Sequence, residues 1–235
     1  MSDFFNINSG GASVESESVG GGFQKPETDV YGFKVKQAFA DTYASGARFI
    51  SVTIELDNGS EHTERFLMAN AKGEGFWTDK NGKNQEYPGV TRFNELMFVA
   101  GIDSYAGLGM AQGRIKAWDS SAKAFTLQSA DQVLHALKDV EGLVALEKVI
   151  ENKQAKGDKS YYKTNEEEEN VYIRKFATKD KVTKLEAAQK VEPPVYMDAW
   201  KEKHAGKTRN LFKAQTNAPK VGMPPAAGAA TEDLF

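Results

Sequence analysis

The stretch from Ala47 to Met68, ARFISVTIELDNGSEHTERFLM, limits what this chain can fold into more than any other. Ile50, Val52, Ile54 and Leu56 alternate with Phe49, Ser51, Thr53 and Glu55. An extended backbone therefore carries an apolar row on one face and a mostly polar row on the other. Asp57-Asn58-Gly59 supplies residues that tolerate positive φ, and Glu61 to Met68 resumes the extended pattern. The stretch predicts an antiparallel hairpin within a sheet that has one wet face, and such sheets close into barrels or sandwiches. Its apolar row is scaffold; the opposite face, around Arg48, Phe49 and Ser51, is the one open to a ligand.

The neighbouring segments extend this plan. Val30 to Ala40 (VYGFKVKQAFA) alternates in the same way and predicts a strand before the hairpin, giving a meander. Asn81-Gly82 lies between Phe76-Trp77 and Tyr87, which predicts a second, projecting hairpin ending at Pro88-Gly89, with Lys80 and Lys83 at its tip. Thr91 to Ala100 has helical spacing and Gly101 as its stop. Gly107 to Gly113 reads as flexible, Arg114 to Leu127 as a weak strand or hairpin, and Ser129 or Asp131 as the cap of a short helix through Leu137. Leu143 to Ile150 reads as a strand, although eight such residues also suit a helix, and Asn170 to Phe176 as the fifth main strand. Between them, Asn152 to Glu169 is expected to form a long hairpin or loop.

Five strands with a helix after the third match a five-stranded antiparallel OB-fold barrel. The expected class is mainly β with minor α, with extra hairpins and flexible termini. Residues 1–28, rich in Gly, Ser and Glu, read as a flexible arm in which Phe4, Phe5 and Ile7 stand out. Residues 29–213 form the expected domain with its accessory segments; within it, 178–213 turns basic and Val195-Tyr196-Met197 to Trp200 predicts a short helix. Residues 214–235 read as an Ala/Pro/Gly linker and an acidic tail.

Composition removes several classes of function. The 235 residues hold 30 Lys and Arg against 33 Asp and Glu, and Glu166 to Glu169 account for the acidic excess, so net charge does not decide on a polyanion partner. With no cysteine, disulfides, thiolate zinc sites and cysteine nucleophiles are excluded. No apolar run approaches the ~20 residues that span a bilayer, and the first residues lack a signal-peptide pattern, so a cytoplasmic protein without a membrane partner is expected. His62, His135 and His204 are isolated, Gly107-x-Gly109-x-x-x-Gly113 misses the dinucleotide spacing by one residue, and neither a P-loop nor GxSxG occurs. Glu166 to Glu169 read as a solvated acidic run on a loop, not as a metal site. No enzymatic activity, cofactor or metal is expected.

Binding is better supported. Holding single-stranded nucleic acid needs aromatic faces for unpaired bases and nearby cations for phosphates. Four segments interleave these types: Trp77 with Lys80 and Lys83; Arg114, Lys116 and Trp118; Tyr161 and Tyr162; and Tyr172, Arg174 and Lys175. The aromatics are the candidate stacking residues and the cations the candidate phosphate contacts. The chain ends in Thr231-Glu232-Asp233-Leu234-Phe235, whose terminal aromatic, α-carboxylate and two acids suit capture by a basic, apolar pocket.

In these three features, the barrel-like strands, the interleaving and the Phe-ended tail, the chain resembles the single-stranded DNA-binding replication proteins of tailed bacteriophages. The tail looks like the acidic terminus of bacterial single-stranded DNA-binding proteins, but has Leu234 where many have Pro and only two acids. The resemblance implies sequence-independent coating of DNA strands during phage replication and recombination in the host cytoplasm. It further implies recruitment of replication or recombination proteins through Glu232, Asp233, Leu234 and Phe235, and leaves self-association open. The contrasting reading is a protein-interaction or virion-assembly module whose aromatics are all core.

Overall fold

A computed structural model describes residues 25–119, 121–156 and 161–214. The 1–24 arm with Phe4, Phe5 and Ile7, and the tail residues Glu232 to Phe235, lie outside the described residues. The described part is mainly β.

Strand β1 (Asp29–Thr42) is the shared element, because its 14 residues are long enough to serve several partners. One edge pairs antiparallel with β2 (Arg48–Leu56), from Phe33↔Leu56 to Thr42↔Arg48, across a bulge at Val35/Gln37. β2 pairs in turn with β3 (Glu61–Ala69), so the hairpin expected from its alternation is present with the Asp57-Asn58-Gly59 turn. The other edge of β1 pairs first with β8 (Glu141–Lys156) and then meets β7 (Ala124–Leu134) at Phe39↔Val133. β7 forms a hairpin arm with β6 (Met110–Asp119), and β8 forms a long hairpin with β9 (Tyr161–Ala177). β10 (Arg209–Asn210) adds in parallel at Val149 and Ile150. A separate short hairpin joins β4 (Phe76–Thr78) to β5 (Asn84–Glu86).

The apolar face expected from the sequence is the core. Val35, Val52 and Ile54 are fully buried with Leu96, Leu146 and Phe176. Phe176 lies edge-on to Phe33 at 5.3 Å and to Phe66 at 6.3 Å.

The closed barrel is not found: β3 and β9 share no ladder among the described residues, and helix α1 (Pro88–Val99) sits between them. Side chains bridge the gap instead. Glu64 of β3 accepts the Ile173 amide of β9 at 2.6 Å. From α1, Glu95, only 3% exposed, accepts from Lys175 at 2.6 Å and from the Phe176 amide at 3.3 Å. Phe93 of the same helix packs on Phe66 at 6.4 Å.

α1 starts earlier than its apolar spacing suggests. Pro88, which the sequence pattern places at the end of the preceding hairpin, opens the helix, where a missing N–H costs nothing. Gly89 follows because the helix presses on β3: a Cβ there would stand 2.5 Å from the Leu67 amide nitrogen and carbonyl oxygen. Gly101 ends the helix at φ +67° as expected.

Three other expectations are corrected. No helix runs from Ser129 to Leu137; β7 continues to Leu134, and only a 3-10 turn, His135–Leu137, follows. The pairing of Ala124 to Ala130 and of Val133 and Leu134 with β6 outweighs the capping potential of Ser129 and Asp131. Gly107 to Gly113 is not all loop, since β6 begins at Met110. Glu166 to Glu169 lie within strand β9, with Glu167, Glu168 and Glu169 opposite Asn152, Glu151 and Ile150.

The basic 178–213 segment holds two helices, α2 (Lys184–Gln189) and α3 (Tyr196–His204). Thr183 and Glu186 cap α2 reciprocally, a T-x-x-E signature present in the sequence. α3 places Met197 and Trp200 against Ala145 and Ala177, forming a second apolar cluster.

Candidate nucleic-acid interface

Alternation along the β6–β7 arm sorts its side chains by face. Ile115 is buried at 6% exposure on the inner face, while Arg114, Lys116 and Trp118 occupy the outer one. Their cross-strand partners are Ser129, Leu127 and Phe125. Trp118 is 56% exposed and Phe125 58%, their rings meeting edge to face at 5.4 Å. The Lys116 ammonium stands 5.9 Å from the Phe125 centroid, close enough for a cation–π contact. Among the described residues, neither Arg114 nor Lys116 forms an ion pair.

The arm is held to the sheet by Gln37. Its amide receives the Lys116 N–H at 2.8 Å and donates to the Lys116 carbonyl at 2.9 Å, standing in for a strand neighbour at this edge. It also reaches Thr53, whose hydroxyl lies 2.9 Å from that of Thr63. The polar faces of β1, β2 and β3 are thereby joined to the middle of the arm.

The β2 part of the same sheet face, expected to be open to a ligand around Arg48, Phe49 and Ser51, is instead covered at Phe49 and Ser51, with Ser51 only 3% exposed. Phe49, 5% exposed, is covered by Tyr43 at a centroid distance of 4.2 Å. The Arg65 guanidinium lies 5.2 Å from the Phe49 centroid. Arg65 was legible: once the Asp57-Asn58-Gly59 turn sets the register, Arg65 falls opposite Ser51 on the wet face. Tyr43 carried no such signal, because it lies in a turn between strands.

The remaining candidate residues lie elsewhere. Trp77 is half-buried in β4, and Lys80 and Lys83 are exposed around the tip beyond it. That tip is built on Asp79, which accepts the amides of Asn81 at 2.9 Å and Lys83 at 3.0 Å; the Lys83 bond lowers its carboxyl below the usual range. In β9, Tyr161 pairs with Lys156 and Tyr162 with Ala155 across the hairpin, and Tyr162 is half-buried.

Tyr172, Arg174 and Lys175 are engaged within the fold. The Tyr172 hydroxyl donates to Glu151, and burial together with that carboxylate raises its pKa. Arg174 binds Glu147 through Nε at 2.7 Å, and Lys175 binds Glu95. These carboxylates offset the positive charge that a phosphate would otherwise meet.

Among the described residues there is no cluster of three or more His, Asp or Glu side chains able to hold a metal, and no helix is long and apolar enough to cross a membrane. No protein-family model and no curated protein matches the chain.

Proposed function

We propose that this chain binds single-stranded DNA without sequence preference and serves phage replication and recombination, on an open sheet of OB type. The observation that carries the reading is the outer face of the β6–β7 arm. There Trp118 and Phe125 are more than half exposed beside two cations with no carboxylate partner among the described residues. Exposing two large aromatics to water is unfavourable unless a ligand covers them. Unpaired bases present flat π-faces to such rings, and the phosphates that follow suit Arg114 and Lys116.

Binding strands but not duplex shifts the melting equilibrium by mass action and keeps a template unfolded. The tail Glu232 to Phe235 is proposed to recruit replication or recombination proteins. Among the candidate strand-binding residues, the geometry favours Arg114, Lys116 and Trp118, with Phe125 added, over the ion-paired Arg174 and Lys175.

The test is Trp118→Ala. It should weaken oligo(dT) binding by about 5- to 100-fold, the loss of one stacked base, while leaving thermal stability unchanged. A protein-docking role for the same aromatic face predicts no response to oligo(dT) in either form.

A further inference from the structure

A cavity of about 570 Å3 opens between the β6–β7 arm and the wet face of β1, β2 and β3. That volume falls in the ~300–1,000 Å3 range of small-molecule sites. Lys116 and Phe125 of the arm line it, so the cavity and the exposed face around Trp118 share a wall. Its floor includes Thr53, 8% exposed, held to Thr63 and Gln37 by hydrogen bonds that fix the cavity's shape.

Charge narrows the ligand. Lys25, Lys36 and Lys116 line the cavity against one carboxylate, that of Glu61. Lys36 is paired with Glu55 outside this lining, at 2.7 Å. An aromatic wall, a hydroxyl-lined floor and an excess of ammonium groups fit a nucleoside phosphate: ring, base edge and phosphate each have a matching surface.

We infer that this cavity takes one unstacked nucleotide of the bound strand, with its base against Phe125 and its phosphate toward Lys36 and Lys116. The inference rests on the strand-binding reading above. A strand lying over Trp118 would deliver the adjoining nucleotide to the shared wall, which makes the cavity a second contact point on a single path.

Two variants test it. Thr63 is exposed on a strand that tolerates aromatic residues, so Thr63→Trp fills the cavity. Lys36→Ala removes a cation whose exposed ion pair contributes little to stability. Anisotropy of a labelled oligo(dT) gives the affinities of both variants, of Trp118→Ala and of the unaltered protein. Titration of 15N-labelled protein with dTMP reports on the Gln37 side-chain amide.

Thr63→Trp should weaken oligo(dT) binding by about 5- to 100-fold, the loss of one base contact, and abolish the dTMP-induced shift of Gln37. Lys36→Ala should lower both the affinity and its salt dependence. An affinity within about twofold of the unaltered protein for Thr63→Trp, with Trp118→Ala weakened, overturns the cavity and leaves strand binding intact; no oligo(dT) binding by the unaltered protein overturns both. Should Thr63→Trp melt early, an unchanged Lys36→Ala affinity with no Gln37 shift overturns the inference.

Discussion

Replacing Glu95 with alanine tests how the sheet is closed without a ladder between β3 and β9. The Glu95 carboxylate, 3% exposed, holds Lys175 at 2.6 Å, Arg92 at 3.0 Å and the Phe176 amide at 3.3 Å. Arg92 has a quarter of its side chain in water and can rehydrate, but the Lys175 side chain is only 14% exposed. Removing one partner of such a buried pair costs roughly 3–5 kcal/mol, a figure dominated by the stranded charge and by the orphaned amide. Taking about 3–4 kcal/mol, the melting temperature of a domain this size should fall by about 6–16 °C. Thermal and urea unfolding of Glu95→Ala measure this directly. The double variant Glu95→Leu with Lys175→Met removes both charges and should recover more than half of the loss. A loss below about 1 kcal/mol in Glu95→Ala, or no recovery in the double variant, would refute the claim that this carboxylate joins α1 to β9.

Three further outcomes follow from particular contacts. Burial alone would raise the Glu186 pKa, but hydrogen bonds from the Thr183 hydroxyl and the amides of Thr183, Tyr196 and Val195 outweigh it and hold the carboxyl at about 2. The stability that Glu186 adds is present above the unfolded value of 4.5 and lost as pH falls toward 2, so urea midpoints of Glu186→Gln and the unaltered protein should converge over that window. Gly89→Ala places a methyl 2.5 Å from β3 backbone atoms, so the start of α1 must shift; a loss of about 1–3 kcal/mol is expected in urea unfolding, and an unchanged midpoint would contradict the close approach. Deleting Glu232 to Phe235 should abolish capture of replication partners and tighten oligo(dT) binding at low salt, since an acidic peptide tethered near cations competes with DNA; unchanged low-salt affinity would count against that competition.

The hairpin and core row from Ile50 to Leu56 were legible because period-two alternation states both the strand and its buried face. The arm was legible both as a weak hairpin signal over Arg114 to Leu127 and as chemistry at Arg114, Lys116 and Trp118, but Phe125 became their partner only through the register that sets it opposite Trp118. What alternation cannot convey is tertiary pairing. Arg174 and Lys175 look like phosphate contacts in a linear reading, and their carboxylates, Glu147 and Glu95, come from 27 and 80 residues away. The open seam was hidden for the same reason. Nothing local in β3 or β9 says that α1 will separate them, and Pro88-Gly89, which reads as the end of a hairpin, is where that helix starts and presses on β3.

The central claim is strand binding, and the most direct measurement is the quenching of Trp fluorescence by oligo(dT) against a duplex of equal length, over a range of salt. Saturable quenching by oligo(dT), far weaker binding of duplex, and an affinity that falls as salt rises are expected, with a slope reduced by about 0.7 in Lys116→Ala and unchanged in Lys175→Ala. Equal affinity for strand and duplex, or an oligo(dT) affinity indifferent to salt, would contradict the claim.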